Sequence, residues 1–179
     1  MLGDRRPLDT SDEEVMAMAE ACKDKAPYIP VLMDLAILTG QRERDLLNLT
    51  RQQLTDEGIL FRQSKTSKKL LVQWSPALRT AIDIALAQHE AGKKKTVTHT
   101  RVLVNTRGNP LTVSGLLSMW GKIQRELHAG GKISERFTIH DLRAKAASDG
   151  GTYQLLGHTS EKTFQRVYVR KPVPVKPTR

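Results

Sequence analysis

The hydrophobic residues of this chain are mostly aliphatic. Of its 179 residues, 39% are hydrophobic but only 4% are aromatic, so the core has to be built mainly from Leu, Ile, Val and Ala. The many Leu- and Ala-rich stretches favour helices. The length allows one sizeable core but not clearly two. The sequence therefore predicts one principal domain that is mostly helical.

Capping residues and helix-breaking glycines mark where the helices begin and end. Ser11-Asp12-Glu13-Glu14 is a capping box, and Ser75-Pro76 supplies an N-cap followed by proline at the first helical position. Gly40 can end the apolar run that precedes it. Together with apolar periodicity, these signals predict helices over about residues 12–25, 28–39, 45–49, 76–90 and 113–128, the last of them ended by a Gly-Gly pair.

Three short stretches have β-type patterns instead. Residues 58–61 and 70–74 flank a polar segment, which predicts a hairpin with Lys65 near its tip or on the facing strand. Residues 101–104 predict a further short strand, followed by a turn at Asn109-Pro110. The predicted fold class is therefore mainly α with a small antiparallel β-sheet or hairpin (α+β).

The charge of the chain suggests a polyanionic partner. Its formal net charge is +10 and its pI is about 9.9, which attracts nucleic acid over long range and through counterion release. A soluble protein with a basic surface fits the same composition equally well. The motifs therefore have to decide between these two interpretations.

Cysteine content and hydropathy predict a soluble, cytoplasmic protein. Cys22 is the single cysteine, which excludes an internal disulfide and a thiolate-rich metal site. We find no stretch close to the roughly 20 apolar residues that span a bilayer, and the first ten residues lack the apolar core of a signal peptide. No membrane partner is expected.

Residues whose side chains could take part in catalysis occur in one ordered series. Taken singly, each has an ordinary structural explanation, such as a helix cap, a satisfied core histidine or a core tyrosine. The series comprises a Thr39-Gly40-Gln41-Arg42 turn followed by Asp45-Leu46-Leu47, a lysine in a β-hairpin, His140-x-x-Arg143, Leu156-Gly157-His158 and Tyr168. In this combination, over about residues 11–170, the chain resembles the tyrosine recombinase family, specifically the catalytic domain of phage-type integrases.

The resemblance implies a role for each position. The matched residues are Arg42 and Arg143 for the two arginines, Lys65 for the hairpin lysine, His140 for the first histidine, His158 for a position held by histidine or tryptophan, Tyr168 for the nucleophile, and Asp45 for a carboxylate that supports the site. All six catalytic positions are therefore filled.

Phosphodiester cleavage explains why these residue types are needed. Attack on the phosphate adds negative charge to its non-bridging oxygens, which two guanidinium groups can hold bidentately. A neutral His140 can accept the Tyr168 proton, and the resemblance implies that Lys65 protonates the departing 5′ oxygen. The 3′-phosphotyrosine conserves the bond energy, so we expect no cofactor and no metal.

The spacing near the end of the chain is unusual for the family. His158 follows Arg143 by only 15 positions, which is shorter than usual by roughly two helical turns. Either a helix pair is trimmed around residues 148–151, or a segment is missing from the sequence. Tyr153 competes with Tyr168 as nucleophile, but we interpret it as structural because its surroundings are expected to pack as a helix.

Other lysines are expected to bind DNA phosphates. These DNA-binding candidates are Lys68 and Lys69 in the hairpin and Lys93, Lys94 and Lys95 in a basic loop. Simple solvation also explains lysines in such positions. Lys68 and Lys69 are in addition the alternatives to Lys65 as the catalytic lysine.

The resemblance also predicts domain organisation and partners. Residues 1–10 are expected to be a linker or a remnant of expression cloning, residues 11–170 the catalytic domain and residues 171–179 a basic tail, with the family's N-terminal DNA-clamping domain absent. The implied partners are double-stranded DNA attachment sites, a homo-tetramer on paired DNA and DNA-bending accessory proteins.

The predicted function is a site-specific DNA recombinase, an integrase that inserts or excises a phage or genomic island. A chromosome-dimer resolving recombinase or a type IB-like topoisomerase would use the same residues. A non-catalytic DNA-binding regulator would have lost one or more catalytic positions. An RNA- or ribosome-associated basic protein would need only the charge.

Overall fold

The structure is a computed structural model that describes residues 10–91 and 100–149. In these ranges the helices are α1 (Asp12–Cys22), α2 (Tyr28–Thr39), α3 (Glu43–Leu47), α4 (Pro76–Ala91), α5 (Val113–Ala129) and α6 (Ile139–Ser148). The strands β1 (Gly58–Arg62) and β2 (Lys69–Gln73) form a two-stranded antiparallel sheet, which a 3₁₀ turn at Arg51–Gln53 precedes. The predicted fold class is confirmed.

Local capping explains where most of the helices begin and end. Glu14 N–H donates to Ser11 Oγ and Ser11 N–H donates to Glu14 Oε2, both at 3.2 Å, so the predicted capping box is present. Leu78 N–H donates to Ser75 Oγ at 3.2 Å at the start of α4. Gly40 follows α2 with a left-handed φ of 61°, as a helix-ending glycine does. The five predicted helices are present, with small shifts at their ends.

Helix α6 was not predicted from the sequence, although its start carries a clear signal. Thr138 and Asp141 form a capping box, in which Asp141 Oδ2 accepts from both Thr138 N–H and Thr138 Oγ1, each at 2.7 Å. This helix contains the pair His140 and Arg143. Helical geometry therefore sets the direction in which each of these two side chains points.

The predicted hairpin is confirmed, with Ile59 opposite Val72 and Phe61 opposite Leu70. Lys65 lies in the turn between the strands and not on the facing strand. Gly58 has to be glycine, because a Cβ there would lie only 2.1 Å from the Val72 carbonyl oxygen.

The predicted strand over residues 101–104 is wrong. Only isolated bridges occur there, joining Arg101 to Thr50 and Val104 to Pro110. The segment changes partner along its length, so no continuous ladder forms, although its apolar side chains are buried. The turn expected at Asn109-Pro110 lies instead at residues 105–108. Gly108 N–H donates to Asn105 O at 2.8 Å there, and Gly108 has a φ of 76°.

Helix α2 lies at the centre of the domain, packed against α1, α4 and α6. Ile29, Leu32, Leu35 and Ala36 are fully buried, as expected for a helix that is apolar on most of its faces. This packing fixes the end of α2, and with it the turn that begins at Gly40.

Cys22 belongs to the same core, where burial raises the pKa of its thiol to about 12. The thiol therefore stays protonated and is not a nucleophile. None of the helices within residues 10–91 and 100–149 is long and apolar enough to cross a membrane.

A pair of glycine substitutions tests the packing of the hairpin. We expect Gly58→Ala to lower the free energy of unfolding by roughly 1–3 kcal/mol, because the backbone of β2 has to move. Gly121→Ala in α5 meets nothing closer than an Arg125 Nη1 at 3.5 Å and should raise it by roughly 0.5–1 kcal/mol, since alanine favours a helix. Thermal and urea unfolding measure both changes, and equal stability of the two variants would contradict the close approach of β2 to Gly58.

Candidate active site

Four of the predicted site residues line a single cleft of about 390 Å³, a volume typical of ligand pockets. Arg42 follows α2, Lys65 lies in the hairpin turn, and His140 and Arg143 come from α6. The other lining residues are Gln41, Glu43, Arg44, Val113 and Ile139. Segments up to 101 positions apart, from Arg42 to Arg143, thus bring together two guanidinium groups, an ammonium group and an imidazole.

Arg143 is the deepest of these residues, with only 1% of its surface exposed. Its Nη1 donates to the carbonyl oxygen of Gly40, at the end of α2, where the helix dipole favours a positive charge. A buried charge without such partners would be strongly destabilising. The contact therefore joins α6 to the turn that carries Arg42.

Arg42 is held close to Asp45 without a hydrogen bond to it. Asp45 Oδ1 accepts from the backbone N–H of Ser64 at 2.8 Å, whereas Asp45 Oδ2 lies 3.9 Å from Arg42 Nη1, too far for a hydrogen bond. In the part of the chain that the structure describes, both Arg42 Nη1 and Asp45 Oδ2 are buried and lack a hydrogen-bond partner. Because unpaired buried donors are costly, Arg42 is suited to an anionic ligand.

The three hairpin lysines differ in what they face. Lys65 is exposed at the turn and lines the cleft. Lys69 lines a different groove, beside Asn48 and Leu60. Lys68 is half-buried and lines neither of these two. Among the three, Lys65 alone faces the arginines.

His140 stands at the mouth of the cleft, at the start of α6. Desolvation by the surrounding protein lowers the pKa of its imidazole below the ordinary value of 6.5, and the positive charges of Arg143, Arg42 and Lys65 lower it further, while Asp141 opposes them. The ring is therefore neutral near pH 7 and able to accept a proton.

Two buried glutamines were missed by sequence reasoning, Gln41 in the lining of the cleft and Gln63, which is bonded to it. Gln41 and Gln63 have no exposed surface, and Gln63 Nε2 donates to Gln41 Oε1 at 2.9 Å. The sequence did contain a signal for one of them. Gln63 continues the alternation of Ile59 and Phe61, which are both buried. This alternation predicts that the Gln63 side chain lies on the buried face of the hairpin.

Glu43 is a second missed feature, a carboxylate among the cations of the cleft. Burial raises its pKa, and within the described residues its Oε1 has no hydrogen-bond partner.

The remaining predicted site residues lie outside the described residues. They are His158, Tyr168, the competing Tyr153, and the loop lysines Lys93, Lys94 and Lys95. Among residues 10–91 and 100–149, no group of three or more His, Cys, Asp or Glu side chains could hold a metal ion.

The sequence profile of the phage integrase family matches residues 9–172 of this chain. The chain belongs to the phage integrase family. The match covers most of the chain, including the residues of the cleft.

Individual relatives agree with this assignment. The integrase of Escherichia phage lambda is 27% identical over 164 residues, which cover 88% of this chain and 45% of that protein. Tyrosine recombinase XerD of Halalkalibacterium halodurans is 22% identical over 169 residues, covering 90% of this chain and 56% of XerD. This phage integrase family member thus spans about half the length of the curated relatives it matches.

The fold is also shared with a solved structure. The crystal structure of a lambda integrase tetramer bound to a Holliday junction matches with a TM-score of 0.70 at 20% identity, covering 97% of this chain and 52% of that one. The two chains therefore have the same fold.

The pKa of His140 can be measured by NMR titration of its ring. We expect a value below 6.5, with an increase in the Lys65→Gln and Arg42→Gln variants because each loses a nearby positive charge. Since the folded-state pKa is lowered, this histidine stabilises the fold above pH 6.5 and loses that contribution as the pH falls through its folded pKa. A Lys68→Gln control should leave the pKa unchanged, and titration at or above 6.5 would contradict a desolvated, cationic environment for this ring.

Proposed function

We propose that this chain is the catalytic part of a site-specific DNA recombinase, an integrase that inserts or excises a phage or genomic island. The observation that carries the proposal is the cleft, where Arg42, Lys65, His140 and Arg143 meet and a buried Arg42 donor lacks a hydrogen-bond partner within the described residues. Such a site suits a phosphate diester, which is an anion with several acceptor oxygens. Membership of the phage integrase family supports the same conclusion.

In the proposed reaction, Tyr168 Oη attacks the scissile phosphorus and forms a P–O bond as the bond from phosphorus to the 5′ oxygen breaks. The tyrosine proton moves to His140, and Lys65 gives a proton to the departing 5′ oxygen. The product is a 3′-phosphotyrosine and a free 5′-hydroxyl. Attack by a new 5′-hydroxyl reverses these steps and rejoins the strand without an external energy source.

The cations have separate tasks in this reaction. Arg42 and Arg143 hold the non-bridging oxygens as negative charge grows on them, and His158 donates a further hydrogen bond. Asp45 supports the site by accepting a hydrogen bond from the backbone N–H of Ser64, the residue before Lys65. The lowered pKa of His140 suits a base that has to be neutral before the reaction begins.

The proposed partners follow from the same chemistry. Double-stranded attachment sites would contact the hairpin lysines Lys68 and Lys69 and the loop lysines Lys93, Lys94 and Lys95. Recombination joins two duplexes, so we propose a homo-tetramer with DNA-bending accessory proteins, and the tetrameric lambda integrase of shared fold supports this. Such an enzyme would work on the bacterial chromosome, in the cytoplasm at the nucleoid.

The alternatives have less support. A regulator without activity would have lost catalytic positions, but the four that lie in the described residues are all filled. A chromosome-dimer recombinase or a topoisomerase would use the same cleft, yet the phage enzyme is the more similar of the two relatives above.

We further propose that residues 11–170 form the catalytic domain.

The nucleophile can be tested with a nicked suicide duplex that carries the attachment site. We expect the protein to form a covalent adduct, seen as a shifted band in denaturing electrophoresis, and Tyr168→Phe to form none because it lacks the attacking oxygen. Tyr153→Phe is the matched control and should keep the adduct. An adduct that persists in Tyr168→Phe would overturn the nucleophile assignment.

The choice of lysine can be tested in the same assay. Lys65→Ala should slow cleavage by roughly 10²–10⁴-fold, as expected when a general acid is removed. Lys68→Ala should mainly lower the affinity for DNA and make that affinity less dependent on salt concentration, since it would remove a single phosphate contact. The opposite pattern would show that Lys68 is the catalytic lysine.

A further inference from the structure

Gln63 occupies a position where a polar side chain is expensive. It follows β1 on the inward-facing side, in line with Ile59 and Phe61, and it has no exposed surface. A buried amide is tolerated only when its hydrogen bonds are made. The hydrogen-bond partners of Gln63 therefore identify the segments that this residue connects.

The side chain of Gln63 links the two loops of the cleft. Its Nε2 donates to Gln41 Oε1 at 2.9 Å, and its Oε1 accepts from Thr66 Oγ1 at 3.0 Å. Gln41 Nε2 in turn donates to the Thr39 carbonyl at 2.9 Å. A continuous chain of hydrogen bonds thus runs from the end of α2 to the residue directly after Lys65.

The backbone of Gln63 closes the hairpin turn as well. Its N–H donates to Lys68 O at 2.9 Å, and its carbonyl accepts from Ser67 N–H at 2.8 Å. Ser67 has a φ of 54°, a left-handed conformation that costs energy for a residue with a Cβ. The turn therefore depends on such contacts to keep its shape.

Lys65 lies between two anchored neighbours. On one side, Ser64 N–H is bound by the buried Asp45 carboxylate. On the other, Thr66 is bound by Gln63. The lysine side chain itself is exposed and has a flexible four-carbon stem, so its reach into the cleft depends on where the backbone of the turn is held.

We propose that Gln63, acting with Gln41 and Thr66, is a positioning residue that places the Lys65 ammonium group for protonation of the departing 5′ oxygen. This rests on the proposed function of Lys65. Loss of Gln63 then weakens proton donation to the leaving group, while the contact between Arg143 and the Gly40 carbonyl is kept. A role confined to stability would weaken cleavage of every substrate alike.

A change of leaving group distinguishes these two effects. The probe is a duplex in which sulfur replaces the bridging 5′ oxygen of the scissile phosphate. A thiol is far more acidic than an alcohol or water, so the sulfur departs without a proton donor. Single-turnover cleavage rates are measured for the oxygen and sulfur duplexes with the full chain.

The main variant is Gln63→Met, which keeps the size and burial of the side chain and removes its hydrogen bonds to Gln41 and Thr66. We expect it to cleave the oxygen duplex up to about 100-fold more slowly, as for a misplaced catalytic group, and to match the unmodified protein on the sulfur duplex. Equal losses on the two duplexes, or no loss on either, would overturn the proposal.

Two further variants keep the test decisive. Thr66→Val has the same shape, lies at the exposed turn and removes only the bond to Gln63, so it should show a smaller loss with the same rescue by sulfur. If Gln63→Met does not fold, absence of rescue in Thr66→Val overturns the proposal. Gln53→Met is the matched control, because Gln53 Nε2 bonds the same hairpin at the Leu60 carbonyl, away from the cleft. It should show no preference for sulfur.

Lys65→Ala separates this inference from the proposed function. Rescue of Lys65→Ala by sulfur without rescue of Gln63→Met leaves the lysine as proton donor and overturns the role of Gln63. Lack of rescue in Lys65→Ala shows instead that the proposed function of Lys65 is wrong.

Discussion

The buried contact between Arg143 and the Gly40 carbonyl is the interaction on which the cleft depends. It places a guanidinium group, only 1% exposed, at the end of the central helix α2, where the helix dipole stabilises a cation. The same turn positions Arg42 as the N-cap residue of α3. One end of one apolar helix thus sets the distance between the two arginines, and the packing of α2 against α1, α4 and α6 keeps that end in place.

The hairpin is the second component, and polar contacts attach it to that turn and to α3. Asp45 binds Ser64 and Gln41 binds Gln63, so the turn that bears Lys65 is tied on both sides. The arrangement gathers several positive charges around His140, whose pKa is lowered first by desolvation and further by these charges. The positive charges of such a cleft repel one another, and a bound anion reduces this repulsion. The same cluster of charges thus depends on the fold for its position and favours binding of an anion.

Much of this could be predicted because the signals are local. Capping residues marked the starts of α1 and α4, Gly40 marked the end of α2, and alternating side chains marked the hairpin. The strand over residues 101–104 was wrong because a strand needs a partner along its whole length, and a local pattern does not report which partner is present. Gln63 was overlooked because buried polar residues are recognised by their partners, and Gln41 is 22 positions away.

The sequence by itself determined the helical class, most element boundaries and, through an ordered set of motifs, the residues to expect at the site. The match to the phage integrase family covers residues 9–172, which include these motifs. Only the tertiary structure decided that Lys65 and not Lys69 faces the arginines, that an Arg42 donor has no hydrogen-bond partner in the described residues, and that two glutamines join the loops. The physical reason is that capping and periodicity act within a few residues, whereas burial, hydrogen bonding and charge coupling depend on segments that meet only after the chain has folded.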